Sequence, residues 1–145
     1  MSTNVLDSKL QIPAQVQSRV SRPHLTRTLE EQIVHHKLIL LSGPAGYGKT
    51  TLLVDWAGIS RHSIAWLSLD EADNDIDRFL RYLLAAWENV QPEIAETSVG
   101  IFINSQIPDV QVVMQTILNA AGQLSGHLVF VLDDIHLITD EAIYD

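Results

Sequence analysis

The sequence predicts an α/β domain in which a mostly parallel sheet is flanked by helices. Short apolar runs at residues 38–41, 63–69 and 128–132 have the length and composition of strands buried on both faces. Segments with helical periodicity separate these runs, as in right-handed βαβ units. A glycine-rich loop or carboxylates follow each run, and open α/β sheets bind their ligands at the carboxyl ends of their strands. These observations place any chemistry at that edge of the sheet.

Composition narrows the class of protein. At 145 residues the chain is long enough for one ordinary domain with its own core. It contains no cysteine, which excludes disulfides and thiol catalysis. The chain has nine basic and eighteen acidic residues, and this excess of negative charge argues against a nucleic-acid surface in this stretch. No apolar run could span a bilayer, and the first ten residues lack a secretory pattern, so we expect a cytoplasmic protein with no membrane partner.

The chain divides into a short lead-in and one domain. Residues 1–20 are polar and unpatterned, so we expect an extended segment that packs through Ile12. Residues 21–145 are expected to form the domain. It opens with a short helix in which Pro23 fits the first turn. The apolar residues of this helix recur at every fourth position, at Leu25, Leu29 and Ile33.

Three further helices are predicted from apolar residues that share one helical face. The first follows Lys49 and ends near Gly58, and the second is capped by Asp75. The third opens at Asp109, after an irregular connection over residues 91–108. We assign their apolar residues to the core, in chain order Leu52, Leu53, Trp56, Ile76, Phe79, Leu80, Leu83, Trp87, Val90, Val110, Val113, Met114, Ile117, Leu118, Ala121 and Leu124.

A phosphate-binding loop stands between the first apolar run and the helix that follows it. Residues 37–53 read KLILLSGPAGYGKTTLL, in which Gly43, Gly48, Lys49 and Thr50 complete the pattern G-x-x-x-x-G-K-[ST]. Glycines accept positive φ and let successive backbone N–H groups converge on a phosphate. Lys49 is expected to contact the β and γ phosphates and the Thr50 hydroxyl to bind Mg²⁺. The predicted nucleotide-binding residues are Gly43, Pro44, Ala45, Gly46, Tyr47, Gly48, Lys49, Thr50 and Thr51.

Two carboxylates end the last apolar run. We assign Asp133 to Mg²⁺, opposite Thr50, and Asp134 to polarising an attacking water, so that Asp134 and Lys49 are the candidate catalytic residues. The alternative is that both carboxylates only cap the following turn. The acidic run at residues 70–75 is open to two interpretations, a solvated turn with one helix cap or a supporting role near Mg²⁺.

The basic residues before the loop are also open to two interpretations. Arg19, Arg22 and Arg27 are most of the cations in that part of the chain. They are either solvated helix ends or part of a segment that covers the base of the nucleotide.

Four stretches together resemble a known family: IPAQVQSRVSRPHLTRTLEEQI, LLSGPAGYGKTTLLVDWA, IAWLSLDEADNDIDRFLRYLLAAW and LVFVLDDIHLI. They are similar to the N-terminal part of the large ATP-dependent, LuxR-type (MalT-like) transcription regulators, which belong to the STAND class of P-loop NTPases. The resemblance implies a region that switches between ATP and ADP and hydrolyses ATP slowly at most. It places Lys49 and Thr50 in the Walker A motif, Asp133 and Asp134 in the Walker B motif, and residues 21–25 near the adenine.

The resemblance also implies that the domain is incomplete at its C-terminus. Members of this class place a further strand, later in sequence, between the P-loop strand and the Walker B strand, and this chain ends at Asp145. The missing strand would leave apolar sheet edges exposed. The regions that bind inducer and DNA in the family are likewise expected outside this chain.

Two alternative functions belong to other classes. A small P-loop phosphotransferase would need a basic lid over the transferred phosphate, and residues 91–145 contain no Lys or Arg. A non-catalytic interaction module would self-associate, or pair with a full-length relative, through its open sheet edge.

Overall fold

The computed structural model describes residues 7–15, 20–36, 39–42, 48–92 and 128–144, with positions 111, 112, 115, 118, 119 and 122. Its helices are α1 (Pro23–Ile33), α2 (Lys49–Ile59) and α3 (Ile76–Val90), and its strands are β1 (Ser63–Ser68) and β2 (Leu128–Asp133). Single turns of 3₁₀ helix lie at Asp7–Leu10, Glu71–Asp73 and Ile135–Leu137, and a short α-helical turn at Glu141–Tyr144. Among these helices, none has the length and apolar character needed to cross a membrane.

The two strands form a small parallel sheet. Their register pairs Ser63 with Leu128 at one end and Ser68 with Asp133 at the other. One further hydrogen bond, from the Leu69 N–H to the Asp133 carbonyl at 3.0 Å, extends the pairing beyond the strand ends. A parallel sheet flanked by helices confirms the predicted fold class, and both strands lie where their apolar runs predicted them.

Helix α3 covers the sheet because one of its faces is apolar. The Asp75 side chain caps the helix, as predicted, by accepting a hydrogen bond from the Arg78 N–H at 3.0 Å. Trp87, which is fully buried, meets the Phe130 ring edge-on with ring centroids 5.8 Å apart. Ala65 and Leu67 on β1 are also fully buried. This packing is the core beneath the acidic loop that follows β1.

The chain separates into two compact units. The first unit combines Met1–Gln11 with Ser63–Asp145 and contains the sheet and α3. The second unit, Ile12–His62, contains α1 and α2. Its buried centre includes Trp56, which is 1 % exposed.

The lead-in differs from the extended segment that was expected. Asp7–Leu10 forms a 3₁₀ turn in which Lys9 and Leu10 are buried. Leu10 belongs to the core of the first unit, whereas Ile12 is 43 % exposed. The lead-in therefore packs through Leu10 and not through Ile12, because the ion pairs of Lys9 described below hold this turn against the core.

The strand predicted at residues 38–41 is not found. Leu38 lies outside the described residues, and residues 39–41 form no strand. Leu40 is 77 % exposed, although a central strand would bury it. A strand requires a neighbour whose N–H and C=O groups complete its ladder. In the described part of the chain, β1 and β2 pair only with each other, and residues 39–41 take part in no ladder.

The segment between α3 and β2 is described only at a few positions. The irregular connection predicted at residues 91–108 lies outside the described residues from position 93 onward. Positions 111, 112, 115, 118 and 119 are helical, in agreement with the helix predicted after Asp109. Leu118 was assigned to the core but is 62 % exposed, so that assignment is wrong for this residue. The other apolar residues of that predicted face lie outside the described part.

Candidate functional site

The predicted phosphate loop ends in a left-handed glycine followed directly by a helix. Gly48 has φ 74° and ψ 32° and is the N-cap of α2, whose first residues are Lys49 and Thr50. A residue with a Cβ in this conformation loses roughly 1–2 kcal/mol, so the position favours glycine. Glycine also has no side chain that could cap the helix. Such a helix start directs backbone N–H groups and the positive end of the helix dipole toward an anion.

Three more of the predicted nucleotide-binding residues lie at the start of α2. Lys49, Thr50 and Thr51 are half-buried in the first turn of α2. The other predicted loop residues lie outside the described residues: Gly43, Pro44, Ala45, Gly46 and Tyr47.

An arginine from the preceding segment lies against this helix start. The Nη2 atom of Arg22 occupies the space that a Cβ on Gly48 would need. Arg22 is the N-cap residue of α1, and Pro23 follows it at the first position of the helix. A guanidinium there adds a permanent positive charge with several N–H donors beside Gly48 and the start of α2. This contact argues against a solvated helix end for Arg22, whereas Arg27 is exposed, as that interpretation expects. Arg19 lies outside the described residues, and a place of this segment over the base of the nucleotide stays a prediction.

A carboxylate joins the other ends of the two helices in the second unit. Glu30, on α1, accepts a hydrogen bond from the Trp56 indole N–H at 2.7 Å and one from the Arg61 backbone N–H at 3.0 Å. The His62 Nε2 atom lies 3.5 Å from the same carboxylate. Burial alone would raise the pKa of Glu30, but hydrogen bonds from Arg61, Ser60 and Trp56 and the nearby His62 outweigh it and lower the pKa. Glu30 is thus held as a carboxylate between α1 and the end of α2.

The two aspartates at the end of β2 have different surroundings. Asp133 is 9 % exposed, and its Oδ1 atom accepts a hydrogen bond from the Asp134 N–H at 3.1 Å. Asp134 is exposed and has φ 61°, a left-handed conformation that aspartate tolerates better than most residues with a Cβ. Its side chain does not cap the following 3₁₀ turn. For Asp134, the alternative of a simple turn cap is therefore wrong.

The acidic loop after β1 is held by a lysine from the lead-in. Lys9 Nζ lies 3.0 Å from Asp70 Oδ2 and also pairs with Asp73. Asp73 is fully buried and pairs on its other side with Arg78, whose Nε lies 2.9 Å away. The Lys9 ammonium also lies 4.4 Å from the centre of the Tyr82 ring. Lys9 and Arg78 therefore form a network of ion pairs around the buried Asp73 carboxylate, which fixes this loop on α3.

This network changes the interpretation of the acidic run. Asp73 is not solvated, whereas Asp75 is the helix cap that was expected. Asp70 caps the 3₁₀ turn through its side chain, and the hydrogen bond from Lys9 lowers its pKa. No local pattern predicted that Lys9 pairs with these aspartates, because they follow it by more than sixty residues.

An asparagine connects the two loops at the carboxyl edge of the sheet. Asn74 Oδ1 accepts hydrogen bonds from the N–H groups of Thr139 at 2.9 Å and Asp140 at 2.7 Å. Its side-chain amide donates to the Thr139 hydroxyl at 2.9 Å. The loop that follows β1 and the loop that follows β2 are therefore joined directly.

The predicted site residues fall in both units. Lys49 and Thr50 belong to the second unit, while Asp133 and Asp134 belong to the first. Within the first unit, the sheet register brings Asp133 beside Ser68, two residues before Asp70. The structure thus places the acidic loop and the two aspartates, Asp133 and Asp134, at one edge of the sheet, as the parallel topology predicted. The start of α2 and the neighbouring Arg22 belong to the second unit.

The chain has a parallel pair of strands with carboxylates at its end and a helix that begins with Lys49 and Thr50 directly after Gly48. It is an α/β chain compatible with a partial P-loop NTPase fold. No protein-family model matches the chain. Comparison with curated proteins finds the HTH-type transcriptional regulator MalT of Yersinia enterocolitica (strain NCTC 13174 / 8081), which is 35 % identical over 141 residues. MalT of Yersinia pestis (strain Pestoides F) is 34 % identical over the same number of residues.

These matches cover 97 % of this chain but only 15 % of each relative. The chain is therefore similar, along nearly its whole length, to one region of MalT regulators.

Proposed function

We propose that this chain is the ATP-binding region of a MalT-like transcription regulator, a cytoplasmic switch between ATP-bound and ADP-bound states with slow hydrolysis at most. The observation that carries the proposal is the left-handed Gly48 directly before a helix that begins with Lys49 and Thr50. This is the geometry that the phosphate-binding pattern requires. The similarity to MalT supports the regulatory setting.

The start of α2 fits a nucleotide phosphate, and the side chains proposed for Mg²⁺ have the donor chemistry that this ion requires. The start of α2 has no side-chain cap at Gly48, and the Arg22 guanidinium lies beside it, so both fit an anion. The Thr50 hydroxyl and the Asp133 carboxylate are the hard oxygen donors that Mg²⁺ prefers. Bound Mg²⁺ would neutralise phosphate charge.

Each of these residues would then have a specific role. Lys49 would hold the β and γ phosphates, while Thr50 and Asp133 would hold the metal. Asp134, exposed next to Asp133, would orient a water toward the γ phosphate.

Inducer and DNA would bind elsewhere in the regulator. The relatives are named HTH-type transcriptional regulators, and the matched segment is 15 % of their length. The acidic balance of this chain does not suit contact with DNA phosphates. We therefore assign to this region the nucleotide-dependent control of parts that lie outside it.

Calorimetric titration of the 145-residue chain with ATP, in the presence and absence of Mg²⁺, tests the proposal. We expect one saturable site that Lys49→Ala weakens by tenfold or more, since each hydrogen bond to a charged group contributes roughly 1.5–3 kcal/mol. Asp133→Asn should reduce the gain from Mg²⁺ and leave metal-free ATP binding unchanged. Arg27→Ala is the matched control, because it removes an exposed positive charge from α1 whose Nε atom donates a hydrogen bond to the Pro23 carbonyl. Equal binding by the Lys49→Ala and Arg27→Ala chains would refute the proposal.

A further inference from the structure

Helices α1 and α2 run parallel and in register. Arg22 at the start of α1 lies against Gly48 at the start of α2. Glu30 lies eight residues after Arg22, and its partner Trp56 lies eight residues after Gly48. At 1.5 Å per residue, both spacings correspond to about 12 Å along a helix. The two contacts therefore fix α1 on α2 at two levels, one at the loop and one away from it.

The contact away from the loop is the more strongly built of the two. The Glu30 carboxylate accepts a hydrogen bond from the indole N–H of Trp56. The Trp56 side chain is 1 % exposed and cannot move without disturbing the core of this unit. It also accepts a hydrogen bond from the backbone N–H of Arg61, just beyond the end of α2. A carboxylate that accepts two N–H groups from fixed positions sets the place of its own helix.

The contact at the loop depends on where α1 lies. Arg22 immediately precedes α1, and Pro23 restricts the backbone at this point. Any rotation or slide of α1 along α2 would therefore move the Arg22 guanidinium away from Gly48. We propose that Glu30 is a positioning residue, which holds α1 in register with α2 and thereby keeps Arg22 at the phosphate loop to bind the nucleotide phosphates. This inference rests on the proposed function, since it assigns Glu30 an effect on ATP affinity.

A double-mutant cycle separates this role from general stabilisation. ATP affinity is measured with Mg²⁺ for the wild-type chain, Arg22→Ala, Glu30→Ala and the double variant. We expect either single substitution to weaken binding by about tenfold, the loss of one hydrogen bond to a charged group. The double variant should bind no more weakly than Arg22→Ala, because Glu30 acts only through Arg22. Glu30→Gln keeps one carbonyl acceptor, so its ATP affinity should lie between that of the wild-type chain and that of Glu30→Ala.

Glu31→Gln is the matched control. It removes the neighbouring carboxylate, which is exposed on the same helix, and should leave affinity unchanged. Losses that multiply in the double variant, or wild-type affinity in Glu30→Ala, would overturn the proposal. An equal loss in Glu31→Gln would do so as well, because the effect would then be one of charge alone.

A measurement without nucleotide tests the geometry independently. The chain has no cysteine, so spin labels can be attached to cysteines introduced at the exposed positions Thr28 on α1 and Ile59 at the end of α2. We expect Glu30→Ala to broaden or lengthen the distance between the labels and Glu31→Gln to leave it unchanged. An unchanged distance in Glu30→Ala would overturn the positioning role. The wild-type chain could fail to bind ATP while Glu30→Ala still changes the distance between the labels. In that case the proposed function is wrong, but Glu30 does hold α1 in register with α2.

Discussion

Replacing Lys9 with methionine should destabilise the first unit more than any exposed charge substitution in it. Lys9 and Asp73 are both buried, and the ammonium of Lys9 is a direct partner of the Asp73 carboxylate. Lys9→Met preserves the apolar stem and removes only the charge. It leaves Asp73 with Arg78 as its remaining ion-pair partner.

The magnitude follows from this geometry. Removing one partner from a buried ion pair typically costs about 3–5 kcal/mol, because the other charge is left uncompensated. Arg78 still compensates part of the Asp73 charge, so we expect a loss of about 3 kcal/mol in the free energy of unfolding. The contact between Lys9 and the Tyr82 ring adds to this loss.

Urea unfolding followed by circular dichroism measures the change. The matched control is Asp70→Asn, which removes the second carboxylate near Lys9. The Asp70 side chain is 51 % exposed, so its pair with Lys9 should contribute about 0–1 kcal/mol. The Asn side chain also retains an oxygen for the hydrogen bond from the Ala72 N–H. A Lys9→Met loss as small as that of Asp70→Asn would refute the argument that this network of ion pairs holds the lead-in.

The remaining predictions concern the loops, pH and glycines. Asn74→Ala should lower the free energy of unfolding by about 1–2 kcal/mol in the same urea assay, since it removes three hydrogen bonds from exposed loops; no change would contradict the joined loops. The pKa values of Asp70 and Glu30 in the folded chain are below their ordinary values of 3.8 and 4.5. These carboxylates therefore stabilise the fold at pH values above their ordinary pKa, and this stabilisation is lost as the pH falls through the pKa of the folded state. Urea midpoints should therefore hold from pH 7 to about 5 and fall below about 4.5, whereas a rise on acidification would contradict the assignment. Gly48→Ala should lower the melting temperature because of its positive φ, whereas Gly58→Ala, inside α2, should raise it; shifts of equal sign would contradict these backbone assignments.

Local patterns predicted most of the elements because they arise from local causes. The apolar runs of β1 and β2 are short and continuous, as strands covered on both faces require. The apolar face of α3 and its Asp75 cap are both encoded within a few residues of the helix. The glycine before Lys49 was expected in a left-handed conformation, and Gly48 has it.

The differences came from contacts that are distant in sequence. Leu40 lies in a run with the pattern of a central strand, but a strand also requires a partner, which no local pattern supplies. The buried place of Asp73 depends on Lys9, 64 residues earlier. Glu30 resembled any helix-surface carboxylate, and only the fold brings it to Trp56, 26 residues later. Long-range ion pairs and hydrogen bonds of this kind leave no periodic signature.

The central claim, that this region binds ATP through the start of α2, is tested most directly by a thermal melt of the 145-residue chain with and without Mg²⁺ and ATP, beside Lys49→Ala. A ligand that binds only the folded state adds RT ln(1 + [L]/Kd), roughly 2.7 kcal/mol at a hundredfold excess over Kd. We expect the wild-type melting temperature to rise by several degrees with ATP and that of Lys49→Ala to stay unchanged. A wild-type melt that is indifferent to ATP, or an equal rise in Lys49→Ala, would contradict the claim.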